Sequence, residues 1–464
     1  MNSINPILNT DSYKPSHYLQ YPPGTEYVFS YIESRGGEYP QTLVFGLQMF
    51  LKEYLSKPIT QADIDQAEQF LKAHGEPFNK AGWQRLLEKH NGYFPVRIKA
   101  VPEGTVVPVL SPMVTVENTD PEFYWITSYI ETALLRAVWY PTTVATVSWS
   151  IKQIIREYLQ QTGDESGLPF KLHDFGARGV SSFESAAIGG AAHLVNFMGS
   201  DTISGILALQ QYYNVIGMPA FSVPAAEHSS ITSWGRENEV SAYRNMVQQF
   251  AKPGTLFAVV SDSYDIFAAC DMWGTELKQE VIDSGAVLII RPDSGEPATV
   301  VTAVVRRLDK HFGSVVNSKG YKVLNNVRVI QGDGINESSI RGILLNLTIA
   351  GYSADNVAFG MGGALLQHSN RDTQKFAMKA SAARINGKWI DVWKDPVTDS
   401  GKRSKKGRVT LIEKNTEYQT VREEDVGSFV LQGWTETLIP VWENGVLLKD
   451  WTLDEIRATA NKQQ

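Results

Sequence analysis

Short apolar runs that end abruptly in polar or glycine-rich loops recur through the middle of this 464-residue chain, and they limit its fold more than any other feature. The stretches are "FKLHDFGARG", "AFSVPAAEHSS", "LFAVVSDSYD", "AVLIIRPDSG", "VRVIQGDG" and "NVAFGMGGA". Their apolar ends fall at Leu172, Val223, Val260, Ile290, Ile330 and Phe359, spaced 29 to 51 residues apart. Each interval has room for a strand, a loop and a returning helix. Repeated units of this kind imply parallel strands with right-handed crossovers, in a doubly wound sheet or a barrel. In either, the loops after the strand C-termini carry the ligand site.

The intervals read as helices. "PATVVTAVVRRLDKHFG" sets Val300, Val304 and Leu308 on one face, with Arg306, Asp309 and Lys310 opposite. "ESSIRGILLNLTIAGY" aligns Ile340, Leu344 and Leu347 and ends at Gly351. "DSYDIFAACDMWGTELKQEVID" is similar, with a break expected at Gly274. The flanks differ. Residues 95–118 read as short strands joined by Pro-Glu-Gly and Ser-Pro turns, and 380–450 carry the hairpin dipeptides Asn386-Gly387 and Asn444-Gly445. We therefore expect a mixed α+β domain from 1–150 together with 385–464, and an α/β domain over 151–384.

A net charge of −7 supplies no general basic field for nucleic acid or an anionic membrane, so an anionic ligand needs local cations and backbone N–H groups. Cys270 is the one cysteine, which excludes an intrachain disulfide and a thiolate metal cluster. No apolar run approaches a membrane span, and "MNSINPILNTDSYK" has no signal-peptide pattern, so a cytoplasmic protein is expected.

The strand ends would present a polar rim: His173, Asp174 and Arg178; Glu227 and His228; Ser261, Asp262, Ser263 and Asp265; Arg291, Asp293 and Ser294; and Asp333, with Gly332, Gly334, Gly360, Gly362 and Gly363. Carboxylates that accept from ribose hydroxyls, beside glycine N–H groups that approach phosphate oxygens, suit a sugar phosphate. Carboxylates could also hold Mg²⁺. The plainer alternative for any single Asp or Ser is a helix cap. "FGMGGALLQ" has Leu365 where a dinucleotide fingerprint needs its third glycine, leaving an anion pocket or a tight turn. "HDFGARG" lacks the other kinase motifs; Phe175 there reads as a stacking surface or as core. His228 is open to core, base, metal-ligand or nucleophile roles, though no His-x-His or His-x-x-x-His spacing supports metal. "GKRSKKGR", 401–408, is a solvated loop or a lid over polyphosphate.

Together with "TDSYKPSHYLQYP" at 10–22, "KAVPEG" at 99–104 and "VENTDPE" at 116–122, these loops resemble the nicotinate/nicotinamide phosphoribosyltransferase family of barrel class, on its nicotinamide side, nearly end to end. The usual Asp-Asp/Glu and Thr-Gly phosphoribosyltransferase pattern is absent, in keeping with that class. The resemblance implies an α/β fold, an irregular TIM-like α/β barrel with a second, largely antiparallel β domain. It implies transfer of a phosphoribosyl group from phosphoribosyl pyrophosphate to nicotinamide, with Mg²⁺, ATP as a coupled co-substrate, and a homodimer with active sites at the subunit interface.

The resemblance also assigns roles. The pyridine ring would lie between Phe175 and Tyr13 of a second subunit. Arg178 would hold the carboxamide oxygen or a phosphate, and Asp201 would accept from the amide and repel the nicotinate carboxylate. Arg291, Asp293 and Asp333 would bind ribose, with Asp265 and Gly332 beside them. Gly362, Gly363 and Arg371 would hold the 5′-phosphate, and Arg35, Lys394 and Lys402 further phosphate oxygens. His228 would be phosphorylated by ATP. Ala177 and Met361 depart from the expected Tyr and Ser. A nicotinate-specific enzyme or a non-catalytic binding protein on the same scaffold are the alternatives.

Overall fold

The computed structural model describes residues 5–398 and 402–462, so Gly401 of the basic run lies outside the described residues. The chain divides into two compact units: Met1–Thr146 with Leu209–Val215 and Ser369–Gln464, and Val147–Ala208 with Ile216–His368.

The first unit is built on a seven-stranded sheet among the described residues, ordered Lys388–Asp391, Phe376–Ile385, Thr25–Ser34, Pro112–Asn118, Val96–Ala100, Ile439–Glu443 and Val446–Leu447. Every pairing in it is antiparallel. Both hairpin dipeptides perform as read: Asn386 (φ 49°) with Gly387 (φ 79°), and Asn444 (φ 50°) with Gly445 (φ 89°), take the left-handed conformations of a tight turn. The boundary expected at 384/385 moves. Phe376–Ile385 pairs along Thr25–Ser34 and buries Ala382 against Phe29, Tyr31 and Val409, so it belongs to this sheet. A greasy strand near the end of an α/β region gives no sign in sequence of which sheet it joins.

Three separated chain segments meet at Gln48 within this unit. Its amide donates to Tyr212 O and Trp451 O and accepts from the Trp451 N–H. Beside it the fully buried Glu103 carboxylate accepts from the Gln48 N–H and from the Tyr213 hydroxyl, both at 2.8 Å. Burial outweighs these donors and pushes Glu103 up to about 7. Because the folded value exceeds the ordinary one, the folded state keeps its proton while the unfolded chain loses it, and stability falls as pH rises from about 4.5 to about 7. The expected loss is on the order of 3 kcal/mol at most. Glu103→Gln can keep both contacts without a charge. Its Tm should match the parent near pH 5 and exceed it near pH 8; parallel Tm curves would remove Glu103 as the cause.

The second unit holds a curled six-stranded parallel sheet among the described residues, ordered Gly199–Ser200, Leu172–Asp174, Val357–Met361, Val327–Gln331, Val287–Arg291 and Leu256–Val260. Five of the six expected runs are strands. The sixth, Ala220–Val223, is not, because Pro219 and Pro224 bracket it and interrupt the ladder. It still makes a single parallel bridge at one edge of the sheet, Phe221 to Gly199, and Ala225 just past Pro224 makes another at the opposite edge, to Ala258. The helices Pro297–Phe312 and Glu337–Ile349 form as read. The break expected at Gly274 falls just beyond it, at Glu276–Leu277. Ile266–Thr275 stays helical through Gly274, where any side chain would run into the His311 ring, and the helix restarts at Lys278.

Lys171 sets the register at the start of two central strands. Its ammonium, buried and pushed down to about 8 by that burial, donates to the carbonyls of Ala354, Asp355 and Val357 at 3.0–3.2 Å. Leu172–Asp174 then pairs with Phe359–Met361, and the Phe175 N–H continues the ladder to Met361 O.

Candidate functional site

That register places Phe175 at the C-terminal lip of its strand, half-buried, with its ring across the neighbouring strand. A Cβ at Gly360 would collide with the ring, and one at Gly332 would lie 3.5 Å from it and 3.4 Å from Asp293 Oδ1. Gly360 and Gly332 are thus the floor on which the ring rests, with Asp293 at its edge. Arg291 donates to Asp293 at 3.0 Å, while its Nε is buried without a hydrogen-bond partner. Asp333 is exposed on the next loop, its backbone carbonyl held by the Gln331 amide at 2.9 Å.

On the other side of Phe175, Asp201 is exposed at the end of Gly199–Ser200, with its N–H on Asp174 O at 2.9 Å and its carboxylate accepting from Ser222 at 2.5 Å. Arg178 projects into solvent from a short 3-10 turn whose Gly179 packs on Gly363. The helix Gly363–Leu366 begins at Gly363, one residue earlier than the sequence suggests. Met361 is buried, so its departure from the family's polar residue changes the interior rather than the rim. Ala177 is exposed.

His228 opens a short helix after the bridging segment, and its Nε2 lies 3.0 Å from Asp262 Oδ1. The His228 side chain is 46% exposed and Asp262 only 6%, so a buried carboxylate holds an accessible imidazole. Asp262 was placed on the rim by its sequence position without a role; its contact with His228 needed the fold. Asp265 accepts from the Phe267 and Ala268 N–H groups as the cap of the Ile266–Thr275 helix, the plainer of its two sequence readings.

The remaining expected residues lie in the first unit. Tyr13 is 55% exposed, on a turn anchored by an ion pair between the buried Lys14 and Glu131. Arg35 Nε donates to the buried Glu33 at 3.3 Å, and its Nη2 is buried without a partner. Lys405 forms an ion pair with the other Glu33 oxygen at 2.8 Å, and its backbone N–H donates to the Tyr31 hydroxyl, whose pKa burial pushes up to about 12. Ser404 clasps the Lys394 backbone from both sides, and Lys406 stacks 3.9 Å from the Trp393 ring. The described part of the basic run is therefore tied to the sheet rather than loosely solvated. Lys394, Lys402 and Arg371 are exposed; Arg371 donates to Asp372 at 3.0 Å. Lys379, absent from the sequence expectation, is pushed down by burial and further by Arg35, Lys14 and Lys394, against the pull of Glu131. Such a group of cations is stabilised by an anion.

Residues 170–428 match the model of the nicotinate phosphoribosyltransferase family, and residues 5–98 match that of the nicotinamide phosphoribosyltransferase N-terminal domain. The chain belongs to the nicotinate phosphoribosyltransferase family. Within that family it is 59% identical, over 98% of both chains, to a nicotinamide phosphoribosyltransferase of Xanthomonas campestris pv. campestris. It is 32% identical to one from Acinetobacter baylyi, over 99% of this chain and 98% of that one. Two solved structures share the fold at 17% identity. The nicotinate-nucleotide pyrophosphorylase of Pyrococcus furiosus has a TM-score of 0.63, covering 100% of this chain and 96% of that one. Human nicotinic acid phosphoribosyltransferase has a TM-score of 0.56, covering 98% and 93%.

Proposed function

We propose that this protein is a nicotinamide phosphoribosyltransferase acting in NAD biosynthesis, converting nicotinamide and phosphoribosyl pyrophosphate to nicotinamide mononucleotide and pyrophosphate. The observation that carries the reading is the Phe175 ring seated on Gly360 and Gly332 beside Asp293, on the C-terminal lip of the parallel sheet. The full-length relatives that bear this activity in their names support it. We read the sheet and its bridging segment as an irregular TIM-like barrel.

The chemistry asks little of a general base. The pyridine nitrogen attacks C1 of the ribose with its own lone pair as pyrophosphate leaves, through a transition state with positive charge on the sugar. The protein's work is therefore to orient the ring, hold the ribose and stabilise charge. In this reading Phe175 stacks on the pyridine, joined by Tyr13 of a second copy in a homodimer. Asp201 accepts from the carboxamide, while Arg178 and Arg291 donate to its oxygen or to phosphate. Asp293 and Asp333 take ribose hydroxyls with the Gly332 backbone, and Asp265 shapes its loop. Gly362, Gly363 and Arg371 receive the 5′-phosphate, and Arg35, Lys394 and Lys402 further phosphate oxygens. Among the described residues no cluster of three or more His, Cys, Asp or Glu side chains forms a metal cage. Mg²⁺ would be held by rim carboxylates such as Asp293 and Asp333, directly or through its waters, and would offset the leaving pyrophosphate's charge.

The test is to incubate purified protein with phosphoribosyl pyrophosphate, Mg²⁺ and either nicotinamide or nicotinate, with and without ATP, and to quantify mononucleotide by chromatography. Nicotinamide mononucleotide is expected, in larger yield with ATP; product from nicotinate alone would overturn the substrate assignment. Asp201→Asn sharpens the question, because it removes the charge that would face a nicotinate carboxylate. The ratio of kcat/KM for nicotinamide over nicotinate should fall about tenfold or more. An unchanged ratio would take that role away from Asp201.

A further inference from the structure

The proposed pyridine pocket has two walls on different turns: 175–179, carrying Phe175 and Arg178, and 201–202, carrying Asp201. One side chain lies behind both. Asp174 is fully buried, between Met361 and Ser200 in the parallel sheet. Its Oδ1 accepts from the Gly176 N–H at 2.7 Å, which folds the first turn back under Phe175. Its backbone carbonyl accepts from the Asp201 N–H at 2.9 Å, which fixes the start of the second. Its Oδ2 faces the cleft where two helices touch, with a Cβ at Gly190 falling 3.4 Å away and Gly190 and Gly205 in backbone contact. Neither Oδ2 nor the neighbouring Thr202 hydroxyl has a well-formed hydrogen-bond partner.

We propose that Asp174 is a positioning residue for the pyridine substrate, locking the Phe175 turn and the Asp201 turn to one another from inside the sheet. This rests on the nicotinamide reading above. Asp174 touches no substrate atom in it; its effect passes through Phe175 and Asp201. Burial of a carboxyl with one strong donor is costly unless geometry repays it. A packing role would be served by an apolar side chain of the same size, which could not hold the Gly176 N–H.

The charge state of this carboxyl then bears on the pocket. Burial pushes it up to about 6, against the Gly176 N–H, and Asp201 raises it further. Asp201 is the charged group acting on it; Gly190, Gly205 and Thr202 from the packed helices and Met361 from the adjacent strand carry no charge. An ionised Asp174 makes a stronger bond to the Gly176 N–H than a neutral one. The Phe175 turn is therefore held more firmly above that pH than below it.

Steady-state kinetics on Asp174→Ala and Asp174→Asn tests the inference. The alanine variant should raise the nicotinamide KM about tenfold or more, with the phosphoribosyl pyrophosphate KM within about twofold of the parent. The asparagine variant, which can still accept from Gly176, should restore most of the nicotinamide KM. The parent's nicotinamide KM should fall between about pH 5 and about pH 7.5, and the asparagine variant should lack that fall when both are measured at saturating donor. Equal rises in both KM values, an unchanged nicotinamide KM in a folded alanine variant, or superimposable pH profiles would each overturn the proposal. If the alanine variant does not fold, the asparagine pH profile decides. If the parent turns over nicotinate and not nicotinamide, the substrate assignment fails, and the same comparison with nicotinate still tests Asp174.

Discussion

Gly360→Ala should raise the nicotinamide KM by roughly tenfold to a hundredfold while leaving the protein folded. The reason is steric and local. The Phe175 ring lies so close to the Gly360 Cα that any Cβ must displace it. Gly360 sits in a regular parallel strand paired with His173, so alanine does not strain the backbone and the cost falls on the ring. A displaced ring loses its face for the pyridine, and aromatic stacking on a planar base contributes about 1–3 kcal/mol. The variant's Tm separates this from a general packing defect. A nicotinamide KM equal to the parent's, at unchanged Tm, would mean that Phe175 is not the stacking surface.

The second large effect concerns ATP. His228→Ala should abolish the ATP-dependent increase in product and the matching consumption of ATP. The imidazole is exposed, but its Nε2 is engaged by a buried carboxylate, Asp262. With Nε2–H donating to that carboxylate, the lone pair of Nδ1 is left as the nucleophile for a phosphoryl group. Asp262 would also stabilise the ring as it gains charge. Asp262→Asn should therefore weaken the coupling and leave it detectable. The quantity to measure is ATP hydrolysed per mononucleotide formed; coupling that survives in the alanine variant would remove His228 from that step.

Sequence made the strand-end lip legible because its signal is local: an apolar run, then Asp, Arg or Gly. "VLIIRPD" and "VRVIQGDG" each contain the strand and the side chains it delivers. What stayed hidden depends on contacts far apart in the chain. Gly199–Ser200 is two residues long and has no apolar run, since its place in the sheet comes from pairing with His173 and Asp174. The Ala220–Val223 run is greasier but is bracketed by prolines, and it makes only an isolated bridge. Asp174 looks in sequence like any other acid at a strand end, and only packing from two helices shows it to be interior. Glycines were read as phosphate contacts, yet Gly360 is there for a ring.

The outer sheet has a consequence for how the polypeptide matures on the ribosome. Thr25–Ser34 lies between Pro112–Asn118 and Phe376–Ile385, and Ser34 reaches across 340 residues to bond with Gln374. Val96–Ala100 likewise waits for Ile439–Glu443. At about 10 residues per second, the early strands spend roughly half a minute with an unpaired apolar edge before their neighbours emerge. That edge is a template for pairing with the wrong chain during synthesis, so the nascent protein needs shielding that the finished one does not.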